Sequence, residues 1–294
     1  MTTTTKTRKT KFKPDPEAAQ KKREEAFNKL EQGIQSLLDS DKWRQWLTMM
    51  SQLRSLSGTR YSWQNCLLLL MQNPDASYVA GFHDWKKVGR TVKKGEKGLA
   101  IRAPFTKKLD EVDDSGENKR ITYFNLVYVF DITQTEGEEI PELARPLQGD
   151  DAGLYQALHN FALHEKMPVY QEALESYNGY CKFNQAKDKV EKIVVANHLS
   201  NLHKCKTLAH ELAHALLHKG VDYAAHRAEC ELEAESVAFI VLNHFGLDSS
   251  DYSFSYVTTW AGDNAIAQLK ESAARIQLTA NQIVEYIQEL EVEV

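Results

Sequence analysis

The sequence predicts an α+β protein of two domains, and three observations support that prediction. The chain has 294 residues, which at roughly 150 residues per domain corresponds to two units. Amphipathic helical patterns and short segments rich in β-branched and aromatic residues occur in both halves. The charge is divided as well, because residues 1–140 hold 24 Lys and Arg against 19 Asp and Glu, whereas residues 141–294 hold 12 against 22. Halves of opposite sign indicate two different tasks.

The composition is typical of a globular protein. Hydrophobic residues make up 42% of the chain, charged residues 26% and aromatic residues 10%. No apolar run approaches the roughly 18 residues that span a membrane, and the basic N-terminus lacks the apolar stretch of a signal peptide. Four scattered cysteines form no C-x-x-C pair, so we expect buried free thiols. These features predict a cytoplasmic protein that does not bind membranes.

The first predicted elements are helices. Apolar residues recur three and four positions apart from Pro16 onwards, which predicts an amphipathic helix. Trp43 and the apolar residues around it predict a second helix. A third helix should run from about residue 62 to 71, where the dipeptide Asn73-Pro74 ends it.

Strands are predicted next. After several segments punctuated by glycine, residues 99–102 should form a strand that ends before Pro104. The acidic segment 110–118 is a predicted loop, and the aromatic and β-branched segment 121–130 is a strong strand. In the second half we expect a helix over residues 151–166, three short strands and then mostly helix.

The most informative motif is an H-E-x-x-H sequence that begins at His210 and ends at His214. Residues 202–217 contain neither Pro nor Gly and keep an apolar face at helical spacing, so the motif should lie on a helix. Histidines four residues apart project from one helical face and can give two imidazole nitrogens to one tetrahedral zinc ion. Glu211 then points to the open fourth position, where it can take a proton from water that the metal activates.

A third ligand is expected from a later glutamate-rich helical segment. Glu231 and Glu235 lie four residues apart, on the face that should pack toward the core. We predict Glu231 as the ligand and Glu235 as the partner that orients a histidine, with the reverse assignment left open. Glu229 and Glu233 are predicted to face solvent. His218 is predicted to pack or to cap the helix, because it lies one turn too far along to reach the metal.

The N-terminal half contains a basic stripe, residues 86–108, with nine basic side chains and the single acid Glu96. Beside Trp85 and Tyr61, this stripe predicts a groove that tracks phosphates while aromatic rings stack on bases, which favours single-stranded DNA without sequence preference. The alternative is a solvated basic loop with Trp85 in the core. The residues predicted to contact DNA are Tyr61, Asn65, Trp85, Arg90, Lys93, Lys94, Lys97 and Arg102.

Two sets of motifs carry a family resemblance. The N-terminal set is Tyr61-Ser62-x-x-Asn65, Gln72-Asn73-Pro74, the basic segment 92–98 and Val129-Phe130-Asp131. The C-terminal set is the segment 208–214, then Glu231-x-x-Ala234-Glu235-Ser236-x-Ala238, and Tyr256-Val257-x-x-Trp260. Together the chain resembles the ArdC-like antirestriction proteins of conjugative plasmids and phages. Its C-terminal half is also similar to the zincin-type ImmA/IrrE metallopeptidases.

This resemblance implies an N-terminal α+β single-strand-binding domain joined to a gluzincin-like zinc metallopeptidase domain with a small antiparallel sheet and the H-E-x-x-H helix. The predicted parts are a disordered basic tail at residues 1–24, a single-stranded-DNA-binding domain at 25–135, a linker at 136–150 and the peptidase-like domain at 151–294. The implied partners are single-stranded DNA and an unknown protein substrate, and the implied role is protection of incoming mobile-element DNA. Two alternatives stay open: a regulatory metallopeptidase that cleaves a repressor, and a DNA-binding protein whose zinc site is catalytically silent.

Overall fold

Three helices open the computed structural model, which describes residues 16–112, 118–140, 151–247, 252, 254, 257, 258 and 264–292. They are α1 (Pro16–Ser36), α2 (Ser40–Gln52) and α3 (Trp63–Leu70). The side chain of Asp39 caps α2 and that of Ser62 caps α3, because each accepts a hydrogen bond from a backbone N–H of the first turn. The second and third helices therefore lie where the sequence predicts them.

The basic tail is shorter than predicted. Helix α1 begins at Pro16, a residue whose fixed φ and missing N–H suit the first turn of a helix. Residues 16–24 are thus helical, which confirms the helix predicted from Pro16 onwards and shortens the predicted disordered tail. Residues 1–15 lie outside the described part of the chain.

The N-terminal half contains two sheets. Their elements are β1 (Arg54–Ser55), β2 (Tyr78–Gly81), α4 (Phe82–Lys87), β3 (Arg90–Val92), β4 (Leu99–Val112), β5 (Asn118–Asp131), the short 3-10 helix Ile132–Gln134 and β6 (Thr135–Gly137). Four strands pair in the order β1-β2-β5-β4, and β3 pairs with β6 in a separate ribbon. Strands β4 and β5 form the longest hairpin of the described chain.

Strand β4 passes through Pro104, although the sequence predicted that it would end before this residue. The reason is that β4 is an edge strand whose free side is covered by side chains. The backbone N–H and C=O of Ala100 bond to the amide of Gln72, and those of Arg102 bond to the amide of Asn65. Pro104, two residues further on, has the same orientation, so its missing N–H removes no hydrogen bond to β5.

The C-terminal half consists of α5 (Asp151–His164), β7 (Val169–Glu172), β8 (Gly179–Phe183), β9 (Val190–Ala196), α6 (Asn201–Leu217), α7 (Tyr223–His244) and α8 (Ala265–Val292). Its sheet has the order β7-β9-β8, in which β8 is antiparallel and β7 parallel to β9. The sheet is therefore mixed and not antiparallel as predicted. The chain crosses from β7 at one edge to β8 at the other before β9 returns through the middle, so β7 and β9 run in the same direction.

One hydrophobic core extends through both halves. Helix α2 packs on α7, and α8 packs on helices of both halves, including α1, α3, α5 and α7. A buried hydrogen bond of 2.9 Å from Trp43 Nε1 to Ser236 Oγ joins α2 to α7. The predicted boundary between the halves stays a prediction, since residues 141–150 lie outside the described residues. No helix in the described ranges combines the length and the apolar character needed to cross a bilayer.

Candidate metal centre

Helix α6 presents the H-E-x-x-H motif to a cleft. The hydroxyl of Ser200 caps its first turn by accepting a hydrogen bond from the His203 N–H, and its apolar face, with Leu208 and Leu212, is fully buried. This orientation leaves His210 and His214 on the side that faces the N-terminal part of α7. The predicted helical location of the motif is therefore confirmed.

Three donor groups converge at this position. The Nε2 atoms of His210 and His214 lie 3.0 Å apart, and each lies 3.5 Å from a carboxylate oxygen of Glu231. Ligands at 2.0–2.1 Å from a tetrahedral ion are separated by about 3.3 Å, so these spacings fit a single ion. The donor atoms of these three residues all lie within 4.8 Å of one another.

The surroundings keep Glu231 ionised. Burial works against its charge, but hydrogen bonds with His210, His214 and Tyr223 outweigh burial and hold the pKa of Glu231 far below its usual range. The Tyr223 hydroxyl donates to Oε1 of Glu231, and its ring lies 5.9 Å from that of His214. Burial also lowers the pKa of His214, which favours its neutral form. A charged carboxylate and a neutral imidazole are the forms that bind a metal.

Glu211 lies beside the three donors and against strand β8. Its carboxylate accepts a hydrogen bond from the Cys181 N–H, and burial raises the pKa of Glu211 to about 7. The close approach of β8 to α6 depends on Gly179, because a Cβ there would lie 2.5 Å from Thr207 Cγ2 and 2.7 Å from the Val194 carbonyl oxygen. The glycine therefore sets the distance between the strand and the helix of the motif.

The cleft in front of these residues has a volume of about 690 Å³. Strand β8 and the segment 182–187 form one wall, and α6 with Tyr223 and Glu231 forms the other. Because β8 is an edge strand, the side of its backbone that does not pair with β9 borders the cleft, where the Cys181 N–H bonds to Glu211.

A buried polar chain lies behind His214. The Nδ1 atom of His214 is 2.8 Å from Nδ1 of His218, and Nε2 of His218 is 3.1 Å from Oε2 of Glu233. Oε1 of Glu233 in turn accepts hydrogen bonds of 2.6 and 3.0 Å from Arg275 on α8. The prediction that Glu233 faces solvent is wrong, since its side chain is only 2% exposed. Glu229, also predicted to face solvent, is partly buried and pairs with Arg275.

Sequence reasoning treated His218 as a packing or capping residue. It does end α6, but it also contacts the ring nitrogen of His214 that faces away from the metal position. The signal for this contact was the spacing of three histidines at intervals of four residues, which places His210, His214 and His218 on one helical face.

The role predicted for Glu235, which is to orient a histidine, stays a prediction. The Oε2 atom of Glu235 is buried and has no hydrogen-bond partner among the described residues, and the group next to His214 is His218. Glu235 and Tyr252 line a second cavity of about 300 Å³, which His210 and Glu211 also border. Burial, with His210 opposing it, raises the pKa of Glu235 to about 7.

Several residues predicted to contact DNA are structural. Trp85 is fully buried, and its Nε1 donates a 2.9 Å hydrogen bond to the Phe130 carbonyl, so its ring cannot stack on a base. Asn65 is buried and uses both groups of its amide in hydrogen bonds to Arg102. The Tyr61 hydroxyl donates to the Val79 carbonyl, 3.2 Å away. For Trp85, the alternative prediction, which places this residue in the core, is confirmed.

The basic residues of that prediction differ in their surroundings. Arg90 holds the β3–β6 ribbon together through Thr135 and the Glu138 carbonyl, and Lys93 Nζ donates to a loop carbonyl 2.8 Å away. Lys94 and Lys97 are exposed in the turn before β4. Arg102 is half-buried on β4, with its guanidinium 4.9 Å from the centre of the Phe124 ring.

The fold and the site together define a two-domain α+β protein with an H-E-x-x-H helix and a third carboxylate, an arrangement that suits a divalent metal ion. Residues 6–130 match the family model of the N-terminal domain of anti-restriction factor ArdC. Residues 163–249 match the IrrE N-terminal-like domain of peptidase family M78. The chain therefore has an ArdC-type N-terminal domain followed by an IrrE N-terminal-like domain.

Individual relatives are more distant. An uncharacterized protein of Bacillus anthracis is 26% identical over 270 residues, which cover 78% of this chain and 46% of that protein. The chain thus spans about half the length of this curated relative. The metal-free crystal structure of antirestriction protein ArdC from plasmid R388 has a TM-score of 0.56 and 21% identity, and the match covers 90% of this chain and 98% of that one. This likeness supports the overall fold.

Proposed function

We propose that this chain is an antirestriction-type protein that binds single-stranded DNA through its N-terminal half and carries a zinc-dependent metallopeptidase site in its C-terminal half. The observation that carries the proposal is the convergence of His210, His214 and Glu231 beside Glu211 in an open cleft. The similarity of the chain to an antirestriction protein and to the M78 domain supports the same combination.

Two imidazole nitrogens and one carboxylate oxygen, with the fourth direction open to a cleft, are a donor set that suits catalytic zinc. When bound, zinc supplies Lewis-acid activation of water and of a peptide carbonyl. The separations of 3.0 and 3.5 Å between the donor atoms require little movement of His210, His214 or Glu231 to bind it.

Glu211 is the proton carrier of this mechanism. Its carboxylate is held against β8 by the Cys181 N–H, and a pKa near 7 suits a group that must both accept and release a proton. Glu211 takes the proton of the attacking water and delivers it to the nitrogen of the leaving amine. Tyr223 borders the cleft and would stabilise the oxyanion by turning its hydroxyl proton from Glu231 to that oxygen, whereas Tyr252 lines the second cavity.

The geometry favours an extended peptide as substrate. Such a segment can add to the free edge of β8 through main-chain hydrogen bonds, which places one of its carbonyl groups beside Glu211. A cleft of about 690 Å³ accommodates a few residues around the scissile bond.

The DNA half of the proposal depends on exposed cations. Lys94 and Lys97 project from the turn before β4 and can each contact a phosphate, as the basic stripe predicts. Binding that ignores sequence suits a protein that covers incoming DNA of any origin.

The test compares the wild-type protein with Glu211→Gln. We expect both proteins to purify with about one zinc per chain and to bind single-stranded DNA equally. Gln keeps the shape of the side chain, and residue 211 is neither one of the proposed zinc ligands nor part of the proposed DNA-binding half. Only the wild type should cleave an unfolded protein substrate and protect transferred DNA from restriction in cells. Full protection by the Gln variant would show that hydrolysis is not how the chain protects DNA, and a wild type without zinc would refute the metal site.

A further inference from the structure

We propose that single-stranded DNA lies across the solvent face of the β4–β5 hairpin and stacks its bases on Phe124 and Tyr128. This inference rests on the proposed DNA binding and assigns it a surface that differs from the predicted one. Trp85 and Asn65 are buried, so another part of the fold must provide the aromatic rings.

The register of the hairpin defines its two faces. Leu99 pairs with Val129 and Ile101 with Val127, and these pairs point into the core. Since opposite residues of an antiparallel pair share a face and neighbours alternate, the even-numbered residues 100–108 and 120–130 form the other face. We call this surface the hairpin solvent face.

Large rings stand exposed on the hairpin solvent face. Phe124 is 55% and Tyr128 is 45% exposed, and Phe82 on α4 extends the row through its contact with Phe130. Residues of a strand rise about 3.4 Å each, so Phe124 and Tyr128, four residues apart, lie about 13 Å from each other along the strand and offer separate stacking surfaces. Gly98 keeps the row uncovered, because a Cβ there would lie 2.8 Å from Tyr128 Cβ.

The charges of this face select an anionic partner. Its charged residues over 100–108 and 120–130 are Arg102, Lys108 and Arg120, and none of its residues in these two ranges is acidic. The guanidinium of Arg102 lies 4.9 Å from the centre of the Phe124 ring, which places a cation beside the stacking surface. Lys94 and Lys97 continue the positive charge into the preceding turn.

The covered edge of β4 argues against a protein strand as the partner. An added strand needs free backbone groups, but Asn65 and Gln72 already occupy those of Arg102 and Ala100. Beside Ala100 and Arg102, a partner must therefore approach the face and not the edge. Exposed rings next to cations, on a face without acids, fit the bases and phosphates of a single strand.

The experiment measures fluorescence anisotropy of a labelled oligothymidine of about 20 nucleotides, longer than the usual site size. The full chain is compared with the double variant Phe124→Leu, Tyr128→Leu. The matched control is Phe105→Leu, Tyr123→Leu, whose rings are 42% and 44% exposed on the opposite face. We expect the first variant to raise Kd by at least about fivefold with an unchanged salt dependence, and the control to keep the wild-type Kd.

The outcomes separate this inference from the proposed function. If the wild type binds and the Phe124, Tyr128 variant binds equally well, or if the control loses as much affinity, the hairpin solvent face is not the binding surface. If a duplex of the same length competes as well as the single strand, base stacking is refuted. If the wild type binds no oligothymidine, the proposed DNA binding itself fails. Unchanged thermal unfolding of both variants excludes loss of fold as the cause.

Discussion

Replacing His218 with phenylalanine should weaken zinc binding although His218 touches no metal. Zinc on Nε2 of His214 requires the proton of that ring on Nδ1, which then donates to Nδ1 of His218 at 2.8 Å. His218 must in turn carry its own proton on Nε2 and donate it to Glu233 at 3.1 Å. The chain of bonds thus fixes the tautomer and the angle of the ligand ring.

Loss of such a partner costs about 10- to 100-fold in metal affinity, or about 1.4–2.7 kcal/mol. The fold should survive, because Glu233 keeps its hydrogen bonds of 2.6 and 3.0 Å from Arg275. Competition with a chromophoric chelator measures the zinc affinity, and His226→Phe is the control because that histidine is exposed on α7. Wild-type affinity in a folded His218→Phe protein would refute the role of His218, whereas a wild type that binds no zinc would refute the site.

Two further predictions concern packing and charge. Gly179→Ala should lower the free energy of unfolding by about 1–3 kcal/mol, because the new Cβ would lie 2.5 Å from a side-chain atom of α6; an unchanged melting temperature would contradict this packing. The double variant Lys94→Ala, Lys97→Ala should reduce the log–log salt dependence of single-strand binding by about 0.7 for each phosphate that the protein no longer neutralises. A slope equal to that of the wild type would remove these two lysines from the interface.

Local patterns in the sequence predicted the elements that carry the candidate site. An uninterrupted apolar periodicity is enough to predict the H-E-x-x-H helix. Ser62 before α3 and Asn73-Pro74 after it are enough to predict where that helix begins and ends. The core-facing side of α7 offered both Glu231 and Glu235 as ligands and did not decide between them, whereas the structure places Glu231 beside the histidines.

Contacts between residues far apart in the chain determine the features that local sequence patterns did not predict. Glu233 is buried because Arg275, 42 residues later, reaches it from α8. Trp85 and Asn65 belong to a segment whose composition suits a nucleic-acid surface, but composition does not tell which face of an element packs inward. Pro104 stays in a strand because its neighbours face a covered edge, a property of sheet order that no local window contains.

The hydrogen bond from Trp43 to Ser236 has a consequence for how the chain can be divided. Ser236 follows Glu231 by less than two helical turns on α7. The helix that supplies the carboxylate therefore packs against Trp43 from the N-terminal half. Expressing either half alone would leave that indole or its hydroxyl acceptor facing water together with much of the shared apolar interface. A fragment that retains the whole H-E-x-x-H region would therefore lack the tryptophan that packs against the helix carrying Glu231.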